Sequence, residues 1–413
     1  MGRVTRELRQ WLEKDGKCCC SRGQQGGVRS KERSGEWLPE NKGVKRSSVR
    51  RSRRWGSGHL TLKQMAQELC FGPRNTICPN EGESPLKVLV WQRGAPFDPE
   101  TLLTNAVGKI ICTLTLGDHF DYNDATFLKL IHLTKEIMMI LGAGFWLPYI
   151  PGPHQKIKKM YNDISALLTE IVMKHKETRD PTFARDMIDT FLEEMEKAKG
   201  NPESSFNEHN LNKTIIEMFV AGMETTTSTI LWGLLKMVLH PEVQKQVHEE
   251  IEEVLGRDQP PTMEDQPNLP YTNAVIHEIQ RCADIVPIVL PYITHQDVQI
   301  DKFVIPKETM VFNHLSSVLK DETMWEKPHQ FYPEHFLDAN GQFVKREAFL
   351  PFSAGRHACP GEQMAKMELF IFFTSLLQRF TFCIPENHPR PKEDRLFALT
   401  VTPAPFQICA IPR

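Results

Sequence analysis

The 413-residue sequence is short of several features that would settle its class quickly. It has no paired CxxC repeat: its ten cysteines stand at 18, 19, 20, 70, 78, 112, 282, 359, 383 and 409. That sparse, irregular spacing excludes a disulfide scaffold and points to a reduced, cytosol-facing chain. It has no signal-peptide pattern, because Met1–Lys17 is charged throughout and contains no apolar stretch. The longest apolar run, Ile137–Ile150, is 14 residues. A bilayer needs about 20, so this run is expected at most to lie in a membrane interface. The formal net charge is only −2, which excludes a globally basic polyanion binder and a strongly acidic solvating chain. No specific nucleic-acid partner is expected.

The balance conceals a division. Residues 1–60 hold 16 Lys+Arg against 6 Asp+Glu, whereas the remainder holds 34 against 46. The first stretch is rich in Arg, Ser and Gly and ends in the cluster Arg50-Arg51-Ser52-Arg53-Arg54, the composition of a solvated, unstructured arm. Such an arm is attracted to anionic surfaces without needing a fold. One short helical pattern, Leu62–Leu69, precedes a loop punctuated by Pro and Gly. From about Pro96 the texture becomes that of a large globular domain. The division is therefore 1–95, a divergent basic segment, and 96–413, one domain without internal repeats.

Apolar residues at three- and four-residue spacing predict helices at Thr101–Leu116, Asp124–Leu141, Gln155–Lys176 and Phe183–Lys199. Leu211–Leu239 is long and apolar on most sides, as expected of a helix through the centre of a large domain. Glu242–Leu255, Tyr271–Cys282 and Met367–Phe380 complete the helices, and Val298–Thr309 reads as short strands about a turn. The fold class is mainly α with small β-sheets.

Of the cysteines, Cys359 has the most informative setting: Phe352-Ser353-Ala354-Gly355-Arg356-His357-Ala358-Cys359-Pro360-Gly361. A thiolate metal ligand needs positive potential and backbone N–H donors around sulfur. A glycine-containing loop delivered to a helix N-terminus, here Glu362 onward, supplies both. The pattern Phe-x-x-Gly-x-x-x-Cys-x-Gly arises by chance on the order of once in 10⁵ starting positions at average residue usage. Two further groups accompany it. Ala221-Gly222-Met223-Glu224-Thr225-Thr226 places an acid beside a hydroxyl midway along the long helix, and Glu278 and Arg281 are three apart and able to pair.

In their order and separation these residues resemble those of a cytochrome P-450, within it vertebrate family 2 and close to its D subfamily. The resemblance runs from about residue 96 to 413. It is carried also by Glu193–Phe206 (EEMEKAKGNPESSF), Leu315–Trp325 (LSSVLKDETMW), Glu334–Leu337 and Phe349–Arg356. It implies a haem-thiolate monooxygenase that inserts one oxygen atom from O₂ into lipophilic small molecules such as xenobiotics, drugs, fatty acids or steroids. The implied cofactor is haem b, iron protoporphyrin IX, with electrons from NADPH through cytochrome P-450 reductase and cytochrome b5 as a second donor. The implied location is the cytosolic face of the endoplasmic reticulum membrane. By resemblance Cys359 is the iron ligand, in a loop whose Phe352, Gly355, His357 and Gly361 contact haem. Gly222, Glu224 and Thr225 lie over the distal face, admitting O₂ and relaying protons. Glu278 and Arg281 are the structural charge pair.

Substrate is expected to meet Glu217, Phe219, Ala221, Ile288, Val289, Leu290 and Leu399–Val401. Glu217, two helical turns before Glu224, is expected to pair with protonated amines. Lys345, Arg346, Arg356 and Lys366 form the expected reductase-docking patch.

The sequence also departs from the family. Its N-terminal membrane helix, Pro-rich hinge, first strands and Trp-x-x-x-Arg haem-propionate motif are not recognised in 1–95. Trp55 and Trp91 do not restore that motif, because His59 and Ala95 stand four residues on. Two further propionate contacts are altered, His357 for the usual Arg and Tyr292 for a His or Arg; each charge-assisted contact contributes about 1.5–3 kcal/mol. The Arg of the Pro-Glu-Arg-Phe stretch is His335. The fold is accordingly expected to be N-terminally incomplete. Two alternatives to an active enzyme stay open: an impaired isoform that binds haem weakly, and a non-enzymatic adaptor using the basic arm.

Overall fold

A computed structural model describes residues 94–117, 120–142, 153–180 and 182–413. The basic arm, the Leu62–Leu69 pattern, Trp55, Trp91 and residues 143–150 of the apolar run lie outside them.

Nine α-helices carry the described residues: α1 Pro99–Leu116, α2 Ala125–Gly142, α3 Pro153–Thr178, α4 Met187–Lys197, α5 Glu208–Leu239, α6 Pro241–Leu255, α7 Pro270–Ala283, α8 Leu315–Leu319 and α9 Glu362–Arg379. Capping groups set several of their ends. Asp98 accepts the Glu100 N–H ahead of Pro99, and Asn207 accepts the Asn210 N–H to start α5. Phe183–Lys199 was expected to be helical, but α4 begins only at Met187. Asp186 adopts an extended conformation and caps the helix through the Asp189 N–H, so the preceding residues stay outside. Among the described residues no helix is long and apolar enough to cross a membrane.

The organising element is α5, 32 residues long, against which α1, α2, α3, α7 and α9 pack. From Thr226 to Leu239 every residue is buried. Ile230, Trp232, Leu234, Leu235 and Met237 are each at most 2 % exposed. Burying one such side chain contributes roughly 1.5–3 kcal/mol. A smaller core of Ala274, Trp325, Phe336 and Ala348 lies under the loops that follow α8.

Four two-stranded antiparallel sheets surround the helices: β1 (Tyr292–Ile293) with β4 (Met310–Val311), β2 (Val298–Ile300) with β3 (Phe303–Ile305), β5 (Phe380–Cys383) with β8 (Cys409–Pro412), and β6 (Arg395–Phe397) with β7 (Val401–Pro403). The expected strands around a turn at 298–309 are β2 and β3, joined through Asp301 at φ 52°. The C-terminal hairpin is anchored by two hydrogen bonds: the Val401 N–H donates to the Ile285 carbonyl (2.8 Å), and the Trp232 indole donates to the Val401 carbonyl (3.1 Å).

Candidate active site

The cysteine loop turns sharply at Ser353 and Gly355, with φ of 61° and 78°. It then returns so that the Cys359 N–H donates to the Phe352 carbonyl at 2.9 Å. Helix α9 begins two residues beyond Pro360, and its first bond runs from the Ala365 N–H to the Gly361 carbonyl (2.9 Å). Cys359 is exposed and its sulfur is approached by the Gly361 N–H. Desolvation raises the thiol above its ordinary range and Glu362 adds to this, while the Gly361 N–H pulls it back. A bound metal cation reverses that preference, because a coordinating thiol is deprotonated outright. Phe352 stands in the same loop, with the Lys366 ammonium 5.6 Å from its ring centroid.

Helix α5 presents Glu217, Ala221 and Thr225 at four-residue spacing on one face, where Glu217 and Ala221 are exposed and Thr225 is half-buried. The Thr225 hydroxyl donates to the Ala221 carbonyl (2.6 Å), which leaves its oxygen free to accept. Glu224, two turns beyond Glu217, forms the edge of that face beside α1 and α2. Burial raises its carboxyl above the ordinary range, Lys135 opposes this and Glu100 reinforces it. Lys135 is itself ion-paired with Glu100. Gly222 lies against α1, and a Cβ there would sit 2.8 Å from Ile111 Cδ1, so the glycine allows the two helices to approach closely. Glu217 is 3.7 Å from the Lys213 ammonium.

Phe219 departs from expectation. It is 3 % exposed and belongs to the main core with Ile215, Ile216 and Met223. Two residues along an α-helix turn a side chain by about 200°, so Phe219 points away from the Glu217–Thr225 face. Of the expected contacts Leu399–Val401 only Leu399 is partly exposed, because Thr400 and Val401 are buried.

After α7, Ile288 and Leu290 are 49 % and 65 % exposed. The Val289 N–H donates to the Asn313 carbonyl at 3.0 Å. Tyr292 stacks on His357 with ring centroids 4.5 Å apart and is hydrogen-bonded with Ser353. Burial raises its phenol above the usual range and the Ser353 bond partly offsets this. Strand β1 is thereby held against the cysteine loop.

Glu278 and Arg281 form a fully buried ion pair at 2.7 Å, two parallel bonds joining guanidinium to carboxylate. Arg281 also donates to the carbonyls of Leu319, Pro328 and Gln330. Burial alone would raise the Glu278 carboxyl; bonds from Arg281 and His335 outweigh it and hold the group below its usual range. His335 accepts the Lys327 N–H on Nε2 (3.1 Å), so its Nδ1 carries the proton directed at Glu278. The pair pins the loop preceding the cysteine to α7.

Glu368 escapes sequence reasoning because it sits in the apolar run of α9. It is 1 % exposed, accepts the Thr226 hydroxyl on Oε2 (3.1 Å), and leaves Oε1 without a partner among the described residues. Burial pushes its pKa up to about 8, against a small lowering by Thr226. The available signal was a single acid among Met367, Leu369, Phe370, Ile371, Phe372 and Phe373. Glu368 is nine residues beyond Cys359, and Thr226 is next to Thr225. This one hydrogen bond therefore couples the helix behind the cysteine loop to the acid–hydroxyl stretch of α5.

The cytochrome P450 family model matches residues 53–410, so the match takes in part of the segment before Pro96 as well as the domain beyond it. The chain belongs to the cytochrome P450 family. Cytochrome P450 2D14 of Bos taurus is 47 % identical over 378 residues, which cover 89 % of this chain and 73 % of that protein. Cytochrome P450 2D26 of Mus musculus is 46 % identical over 384 residues, 91 % of this chain and 74 % of the relative. Cytochrome P450 2D6 of Homo sapiens is 50 % identical over 329 residues, 78 % and 66 % of the respective lengths. The cofactor of a P450 is haem, and its activity is monooxygenation. The residues fit that cofactor in donor chemistry: this P450 presents one accessible sulfur, a backbone N–H directed at it and a helix N-terminus behind it.

Proposed function

We propose that this P450 holds haem b on the Cys359 sulfur and oxidises lipophilic small molecules, basic amines prominent among them. Electrons are proposed to come from NADPH through a separate reductase, with cytochrome b5 as a second donor, at the cytosolic face of the endoplasmic reticulum. The observation that carries the reading is the accessible Cys359 at the head of α9, linked through Glu368 and Thr226 to the Glu224–Thr225 stretch. Haem bound there supplies O₂ activation, with thiolate donation favouring O–O cleavage.

The chain's own residues then have separable tasks. The Gly361 N–H and the dipole of α9 stabilise negative charge on sulfur. Thr225, its proton committed to the Ala221 carbonyl, offers an acceptor to a water. Glu224, whose carboxyl burial raises above its ordinary range, stands one residue from Thr225 and beside the Lys135–Glu100 pair, as the proposed acid for proton exchange with water. Tyr292 and His357 offer a phenol and an imidazole where the family commonly places cations. Ile288, Val289 and Leu290 supply apolar contact for substrate.

Glu217 is the proposed anion for a substrate ammonium. Its partner Lys213 lies at 3.7 Å in an exposed pair, and exposed pairs contribute only about 0–1 kcal/mol, so an incoming amine displaces it at small cost. In the proposed reductase patch, Arg346 donates to the His335 carbonyl (2.6 Å) and Lys366 is ion-paired with Glu362. Exposed Lys345 and Arg356 then carry most of the docking charge.

Reconstitution of the full chain with haem, an NADPH-dependent reductase and matched lipophilic amines and neutral analogues tests the proposal. NADPH- and O₂-dependent formation of oxygenated or dealkylated product is expected. Haem-loaded protein that consumes no NADPH and forms no product with any of them would overturn it.

A further inference from the structure

Two cysteines far from the haem loop face each other across the C-terminal sheet. Cys383 closes β5 and Cys409 opens β8, and the strand register sets them directly opposite. Directly opposed residues in an antiparallel pair project on the same face. Their thiols are within hydrogen-bond reach of each other. Cys409 is 7 % exposed, while Cys383 is partly open to solvent. Both are reduced. Burial, with Cys383 beside it, raises the Cys409 thiol above the ordinary range.

We propose that Cys383 and Cys409 form a reversible redox pair, oxidised by a small-molecule disulfide of the glutathione type. Cys383 loses its proton to solvent and its thiolate attacks one sulfur of the reagent, forming a mixed disulfide and releasing one small thiol. Cys409, delivered by the sheet register, displaces the second small thiol as its own proton leaves. Two protein thiols are oxidised to one disulfide and one small disulfide is reduced to two thiols, so atoms and electrons balance.

The register also specifies what kind of bond this is. The Arg413 N–H donates to the Arg379 carbonyl, which makes residues 379 and 413 a hydrogen-bonded pair. Hydrogen-bonded and non-bonded pairs alternate, so 383 and 409 are again a bonded pair. The Phe382 N–H agrees with this: it is unused by the ladder and donates instead to the Gln244 carboxamide oxygen (2.8 Å). Cα atoms of a bonded pair are about 5.5 Å apart, inside the range a disulfide accepts. Their Cβ atoms lie toward the wide end of about 4.5–5.5 Å, beyond the roughly 3.8 Å a relaxed disulfide prefers. The bond can form, and it is strained, which places it among labile disulfides rather than permanent staples. In a reduced compartment that is the useful kind. Oxidation would tether the two ends of residues 384–408, the segment that carries the β6–β7 hairpin anchored to Trp232 and Ile285.

The test treats the reduced full chain with oxidised glutathione, alkylates the remaining thiols after unfolding, and maps the peptides by mass. Alkylation of Cys383 and Cys409 is expected to fall together, with a cross-linked peptide pair two hydrogens lighter than its parts. Both changes should reverse with a monothiol reductant and be absent in Cys383→Ser. Persistent alkylation of both cysteines would overturn the proposal. So would a glutathione adduct that stays on Cys383 while Cys409 remains free, or preferential cross-linking of either cysteine elsewhere.

Discussion

Glu368→Gln removes one ionisable proton from the interface of α5 and α9 and leaves side-chain shape nearly unchanged. Glu368 is 1 % exposed and its pKa rises from 4.5 to about 8 because burial penalises the charged form. A carboxyl whose folded pKa exceeds its unfolded value binds its proton more tightly in the folded state. Its contribution is therefore most favourable below about pH 4.5, declines as pH rises, and reaches its floor above about pH 8. At 1.36 kcal/mol per unit the difference amounts to about 5 kcal/mol, an upper limit because an ionising buried group draws in water. Glutamine mimics the neutral acid and carries no such penalty. Urea unfolding of wild type and Glu368→Gln at pH 5 and pH 8.5, followed by far-UV circular dichroism, measures the difference. The variant's advantage is expected to grow by several kcal/mol between the two pH values. His248 and His277, both held near pKa 4 by burial, titrate in the opposite sense in both proteins and cancel in the comparison. Infrared spectra should show a protonated-acid C=O band near neutral pH that the variant lacks. Parallel pH profiles for the two proteins would refute the assignment of Glu368 as a neutral buried acid.

Arg281→Ala should lower stability by about 3–5 kcal/mol in urea titrations, because Glu278 is left charged and buried without its guanidinium. A loss below about 1 kcal/mol would mean that His335 and the Tyr332 N–H suffice for Glu278. Gly117→Ala should cost about 1–3 kcal/mol in the same assay: Gly117 has φ 69° and a Cβ there would collide with Asp186 Oδ2. Glu217→Gln should raise the dissociation constant of lipophilic amines by roughly 5- to 10-fold, the effect of losing a charge-assisted bond partly screened by water, and leave neutral analogues unchanged. Equal weakening of both classes, read from substrate-induced haem spectral shifts, would remove Glu217 as the ammonium partner.

The helices were legible because apolar periodicity is a local property, and α1, α5, α6 and α7 follow it within a few residues. Their ends were less so, since a cap such as Asp186 is recognised only once its extended backbone is known. Glu278 and Arg281 are three apart on one helix, and that spacing alone suggested the pair. Full burial and three carbonyl acceptors could not be foreseen, because Leu319, Pro328 and Gln330 arrive from distant loops. Phe219 lies on the buried side of α5, because closeness in sequence to Glu217 and Thr225 does not place a residue on their helical face. Glu368 and Thr226 are separated by 142 residues, and Cys383 meets Cys409 only through strand register. Such pairings depend on tertiary placement, for which a single sequence carries no period.

The proposed role of the Cys359 sulfur is to hold the haem. Its most direct test is the reduced, CO-bound difference spectrum of the purified full chain supplied with haem, beside Cys359→Ser. Wild type is predicted to take up haem and show the red-shifted Soret band of thiolate ligation, and the variant to lose that band. Absence of haem uptake by wild type, or a Soret band unchanged by the substitution, would contradict the account.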